Sequence, residues 1–141
     1  MKKKFVAFLM VPVMAFLLFA CGGSKTDVKM LEGKWNIIEA NGQKIEKEGF
    51  PNLEFNMKDK KVHGNTGCNI FNASLVLDEA NVSAIKFDQA MSTMMSCPNL
   101  DIETIVLKAI GEVKAVKAGK TDKQMNLVDS NDKVVLVLSK E

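Results

Sequence analysis

Soft and ionisable side chains are few in this 141-residue chain, and their spacing limits the chemistry open to them. His63 is the only histidine. Met91, Met94, Met95 and Cys97 follow it, and thioether, thiolate and imidazole together suit Cu(I). The same three methionines also stand at helical spacing, which needs no more than a core to fill. Cys68 lies close to His63 in sequence and suggests a cysteine–histidine pair, although proximity along the chain does not establish hydrogen-bond reach. Asp88, Asp101 and Glu103 supply carboxylates whose pairing no motif dictates. No phosphate loop, zinc-protease helix or nucleophile elbow is present. The chain is therefore expected to hold no catalytic residue, no metal and no cofactor. A small-ligand or soft-metal (copper) carrier and a hydrolase stand behind that reading as alternatives.

The third cysteine belongs to a different chemistry. Lys2, Lys3 and Lys4 open the chain, Phe5 to Phe19 is uncharged and strongly apolar, and Ala20 precedes Cys21. This is the pattern of a bacterial export signal. The apolar run falls short of the roughly 20 residues that a helix needs to span a bilayer. Leu18-Phe19-Ala20-Cys21 resembles the lipobox of lipoprotein signal peptides. That resemblance implies cleavage before Cys21, diacylglycerol on its thiol and further acylation, so that the protein is lipid-anchored at a membrane. Plain secretion and a retained helix are the other readings. With Cys21 assigned to lipid, Cys68 and Cys97 form an even pair in an oxidising compartment, where a disulfide is favoured over two buried thiols or a metal pair. The bridge would close a loop of about 30 residues and contribute roughly 3 to 4 kcal/mol.

Charge excludes one class of partner. The chain has 19 basic and 17 acidic residues, and every basic residue is lysine. Removal of residues 1–20 takes away three lysines and no acid, which leaves a net charge of −1. No basic face is implied, and no nucleic-acid partner is expected. Without arginine, no bidentate guanidinium fork is available for a phosphate or carboxylate.

The elements that must position these residues can be read from their periods. Residues 1–20 are the expected signal, residues 21–29 a tether and residues 30–140 one small domain. Gly22 to Asp27 is small and polar, as a flexible tether should be. Trp35 to Ile38, Gln43 to Ile45, Leu53 to Met57, Val62 to Gly64, Phe71 to Leu77 and Val82 to Phe87 read as strands. Asn41-Gly42 is a strong hairpin turn. Near residues 99–113 the period becomes helical. Ile102, Ile105, Val106, Ala109, Ile110 and Val113 share one face, with Glu103, Lys108 and Glu112 elsewhere. Asn99 or Asp101 can cap the helix. Lys114 to Lys117, Gln124 to Val128 and Val134 to Leu138 are three further strands. The expected fold is α+β: a curled, mostly antiparallel, barrel-like sheet with one main helix.

Several segments in order carry a family resemblance: Leu31-Glu32-Gly33-Lys34-Trp35, Gly64-Asn65-Thr66-Gly67-Cys68-Asn69, Thr93-Met94-Met95-Ser96-Cys97, then Glu103. Together with Met125-Asn126-Leu127 and Val135-Leu136-Val137-Leu138, they resemble the META domain, also called HslJ-like, over roughly residues 30 to 139. The resemblance implies a small α+β or β-rich envelope domain, often exported or lipid-anchored in bacteria, with no established enzymatic activity. Gly33-Lys34-Trp35 is also similar to the first lipocalin motif. Lipocalins set a late arginine against that tryptophan, and this chain has no arginine. Trp35 itself reads as a core anchor, with ligand stacking as the alternative.

The expectation is thus a non-enzymatic, lipid-anchored protein that binds or supports another component of the cell envelope. Gly22 lacks the acidic character of an inner-membrane retention signal, so the outer membrane is the expected address, facing the periplasm or the surface. Asn65, Thr66, Asn69 and Thr93, around the bridged Cys68 and Cys97, are the candidate binding surface. The same four side chains would also serve simply to hold turns together.

Overall fold

Alternation of apolar and polar residues builds the walls of this domain, and hydrogen-bond register closes them. The computed structural model describes residues 25–47, 51–98 and 100–140. The signal and Cys21, Gly22 and the first part of the expected tether, and Asn99, lie outside the described residues. Nine strands and one helix follow in chain order: β1 Gly33–Ala40, β2 Gln43–Lys44, β3 Asn52–Asn56, β4 Lys61–Asn65, β5 Ile70–Asp78, β6 Asn81–Ser92, α1 Leu100–Glu112, β7 Ala115–Ala118, β8 Gln124–Val128 and β9 Val134–Lys140. Each of β3 to β8 pairs antiparallel with the next, and β1 pairs with both β3 and β9. Eight strands therefore form a closed antiparallel barrel, with β2 as a short flap on β1. The expected α+β class and curled sheet are both present.

Local rules account for most of the wall. In β3, Leu53 and Phe55 are buried while Glu54 and Asn56 are exposed. In β5, Phe71, Ala73 and Leu75 alternate inward. The Asn41-Gly42 turn joins β1 to β2 with φ of 47° and 82°, the left-handed pair that a type I′ hairpin requires. Gly64 lies so close to β3 that a Cβ there would stand 2.0 Å from the Asn52 carbonyl oxygen, so only glycine permits this β3–β4 approach.

The core forms where the inner faces meet. Trp35, Phe55, Phe71, Ile37, Leu53 and Leu138 are among its largest fully buried side chains. Burying each large apolar side chain contributes about 1.5 to 3 kcal/mol. Trp35 donates from Nε1 to the Leu31 carbonyl at 2.7 Å, so its polar edge is satisfied inside. Lys140, directly opposite on β9, holds its ammonium 5.0 Å from the indole centroid. A lysine thus supplies the late cation over the tryptophan, within cation–π range.

Three expectations need correction. The tether was expected to run to residue 29, but Val28–Leu31 form a 3-10 turn capped by Asp27, with Val28 and Leu31 in the core. The apolar side chains at 28 and 31 draw that segment onto the barrel. β6 runs to Ser92 rather than ending near Phe87, because backbone pairing with β5 continues where side-chain alternation has stopped. Finally, Glu103 lies on the buried face of α1 with Val106, Ala109 and Ile110, not on its polar side. Asp101 sits exposed within the first helical turn, where its charge favours the helix N-terminus.

Candidate functional site

The β4–β5 loop, Thr66 to Asn69, crosses the first turn of α1, and Gly67 makes the crossing possible. Its φ is +131°, and a Cβ there would stand 3.2 Å from the Glu103 backbone nitrogen. Asn65 accepts the Gly67 N–H at 2.8 Å on its side-chain oxygen and so holds the turn that starts the loop. The close approach places a carboxylate under the loop.

Glu103 is only 4 % exposed, and no cation pairs with it among the described residues. Hydrogen bonds take the place of a counter-charge. Oε1 accepts from the Thr66 hydroxyl and from the Asn69 backbone N–H, both at 2.7 Å. Oε2 accepts from the Asn69 side-chain amide at 2.6 Å. Burial by itself would raise the carboxyl pKa. The donors from Thr66, from Asn69 backbone and side chain, and from the Cys68 backbone outweigh that effect and hold it below its ordinary value.

Asn69 carries the network to a third segment. Its side-chain oxygen accepts from the Thr93 hydroxyl at 2.8 Å and from the Met95 N–H at 2.6 Å. Its amide donates to the Met95 carbonyl at 3.4 Å as well as to Glu103. Both lone-pair positions and both amide hydrogens are therefore used. Thr93 in turn accepts the Ile70 N–H at 3.0 Å. Beside this network a disulfide joins Cys68 to Cys97, with Cα atoms 5.9 Å apart. The loop is thus tied to the segment after β6 by the disulfide and by Asn69, and to the helix by Glu103.

Of the four residues expected to form a binding surface, Thr66 and Asn69 are buried, Asn65 is half-buried and Thr93 is exposed. The structure does bring Thr66, Asn69 and Thr93 into one network, but it turns the first two inward. Glu103 organises the arrangement, and its one sequence signal is a position following the Thr93 to Cys97 stretch in the family pattern. With every polar atom of Asn69 engaged and both carboxylate oxygens of Glu103 accepting, the chemistry of this cluster is that of a latch.

The soft side chains are dispersed. His63 stands opposite Glu54 on the outer face, with Nε2 3.3 Å from the carboxylate. It shares an open concavity of about 500 Å³ with Met91, Asn72 and Lys61. Met91, Met94 and Met95 were expected as core filler on helical spacing. They are instead exposed, Met91 on β6 and the other two in the extended chain beyond it, Met94 at 97 %. Cys97 is committed to the disulfide, so it offers no thiolate. No group of three or more His, Cys, Asp or Glu side chains is placed to hold a metal among the described residues.

Comparison with known proteins places this architecture. The META domain family model matches residues 28–141. A solved solution structure of a protein from Burkholderia xenovorans is similar at 21% identity and a TM-score of 0.58, covering 80% of this chain and 85% of that one. The crystal structure of a DUF4847 family protein from Bacteroides vulgatus is similar at 9% identity and a TM-score of 0.58, covering 79% of this chain and 94% of that one. At these identities the likeness speaks for the fold. No curated protein matches the chain.

Proposed function

Because the chain belongs to the META domain family, we propose that it is a lipid-anchored protein of the bacterial cell envelope whose one domain binds or supports another envelope component without catalysing a reaction. The observation that carries the reading is the N-terminal pattern: three lysines, an uncharged apolar run, and Leu18-Phe19-Ala20 before Cys21. The start of the fold supports it. Ser83 donates its hydroxyl to the Thr26 carbonyl, and Val28 is already buried. Four residues, Gly22 to Lys25, therefore separate Cys21 from Thr26, and the five residue steps between them reach at most about 18 Å. The domain would ride close to the membrane that holds it. The outer membrane is the proposed address, since Gly22 supplies no acidic retention signal.

The non-enzymatic part rests on the latch. Its carboxylate, hydroxyls and amide form the one buried polar network among the described residues that joins three segments, and they are spent on one another. Mass spectrometry of the full chain from native membranes tests the anchor. The expected species begins at an acylated Cys21; membrane-inserted protein that retains an unmodified Met1 overturns the proposal. For capture of the partner, a crosslinker belongs at exposed Met94 rather than at buried Asn69.

A further inference from the structure

We infer that the outer edge of β6, from Phe87 to Ser92, accepts an extended peptide strand from a partner protein. This rests on the reading of the domain as a binding module and names the surface and the chemistry it recognises. The seam between β6 and β7 is where the barrel is least closed. β5 stays paired with β6 as far as Ser92, across a bulge, whereas β7 pairs with it only at Ala84 and Ala115. Among the described residues, the last backbone bond across the seam runs from the Ile85 N–H to the Lys114 carbonyl at 3.0 Å. Beyond Ile85, among the described residues, β6 has a strand on one side only.

The register shows which groups face the open side. The Leu75 N–H bonds Lys60 on β4's side at 2.9 Å, so the Leu75–Phe87 pair is a non-hydrogen-bonded one. The N–H and C=O of Phe87 therefore point away from β5. At the far end the Thr93 N–H bonds the Ile70 carbonyl at 3.1 Å, which turns the backbone groups of its neighbour Ser92 outward too. Between them Gln89 and Ala90 form a bulge opposite Ala73, with Gln89 at φ 49°. Such an edge is a template for one more strand.

An apolar slot runs beside it. Phe71, Phe87 and Met91 face Leu107, Ile110 and Gly111 of α1 across about 320 Å³. That is near the lower limit of small-molecule pockets, roughly 300 Å³, and suits an apolar side chain or two of a bound strand. Gly111 keeps the slot open. Glycine is unfavourable within a helix, and no packing demands it here, since a Cβ would meet nothing within 4 Å. Exposed edges are usually blunted by charge. Along this edge Asp88 is the one charged residue; from Gln89 to Leu100 the chain carries none, and every residue from Asp88 to Ser96 is exposed. A second copy would have to bring its own α1 alongside its own edge, while an extended peptide carries nothing behind it.

The test uses isotope-labelled full chain in lipid nanodiscs and a blocked peptide of alternating valine and threonine. The peptide should slow exchange of the Phe87 and Ser92 amides by about tenfold or more. A version N-methylated at alternate positions should not, nor should the peptide act on Gly111→Leu, which fills the slot, or on Ser92→Pro, which removes an outward donor. No change at millimolar peptide overturns the inference. Equal effects of the N-methylated peptide or of decanoate overturn it in favour of an apolar-ligand cavity. Amides already protected without peptide overturn it as well: protection that rises with protein concentration assigns the edge to a second copy, and constant protection to the chain itself. The same measurement on Cys21→Ser separates the two readings, because loss of the anchor should leave strand binding intact.

Discussion

Glu103 is a buried carboxylate held by neutral donors, and that sets its behaviour. Both oxygens accept, so only a carboxylate satisfies the site. Glu103→Gln would direct an amide hydrogen at a donor on one side or the other and leave Thr66 or Asn69 unpaired in the interior. The expected loss is about 2 to 4 kcal/mol of unfolding free energy, read by urea denaturation; an unchanged midpoint would refute the assigned role. The pH dependence has a definite sign. The folded pKa lies below the ordinary 4.5, so the stabilisation is present above that value and disappears as the pH falls through the lower folded one. Denaturation from neutral pH down to about pH 2 should show the gap between wild type and Glu103→Gln narrowing only in acid. A constant gap would mean that the charge does not matter. The local pattern of α1 could not announce this residue. Helical periodicity assigns a glutamate to the solvent side, and only donors 34 and 37 positions away reverse that assignment.

Among the elements, the β4–β5 loop depends on two ties of different kinds. The bond between Cys68 and Cys97 spans 29 positions and contributes about 3 to 4 kcal/mol by restricting the unfolded chain. The Glu103 network should still hold the loop to α1 without it. The Cys68→Ser/Cys97→Ser double variant is therefore expected to fold, to lose that amount in urea denaturation, and to exchange the Asn69 amide faster. Failure to fold would show that the network cannot hold the loop alone. Strand positions were largely legible from alternation, and the Asn41-Gly42 turn from its residue types. The end of β6 was not. Both its faces are exposed from Asp88 onward, so no apolar period marks a strand that backbone pairing alone maintains. The three methionines misled for the same reason, since apolar spacing says nothing of a segment that no core covers.

At the scale of the whole molecule, β6 acts as a ruler. Thr26 is bonded to Ser83 near one end, and Thr93 with Met95 joins the latch at the other. The distance along the strand is about 30 Å. If Cys21 carries lipid, a fluorophore at Lys25 should be quenched by headgroup-attached quenchers in nanodiscs, and one at Met94 should not; equal quenching at both would show that the barrel lies flat on the membrane. The latch and the open β6 edge would then face away from the anchored side. From residue types and short spacings came the strands, the hairpin and the helix, which are local signals carried by neighbours along the chain; resemblance to known patterns supplied the family and the expectation of a lipidated cysteine. Closure of β1 on β9, the inward turn of Glu103, Thr66 and Asn69, and the unpaired edge of β6 emerged only in three dimensions, because each depends on which distant backbone groups and donors arrive beside it.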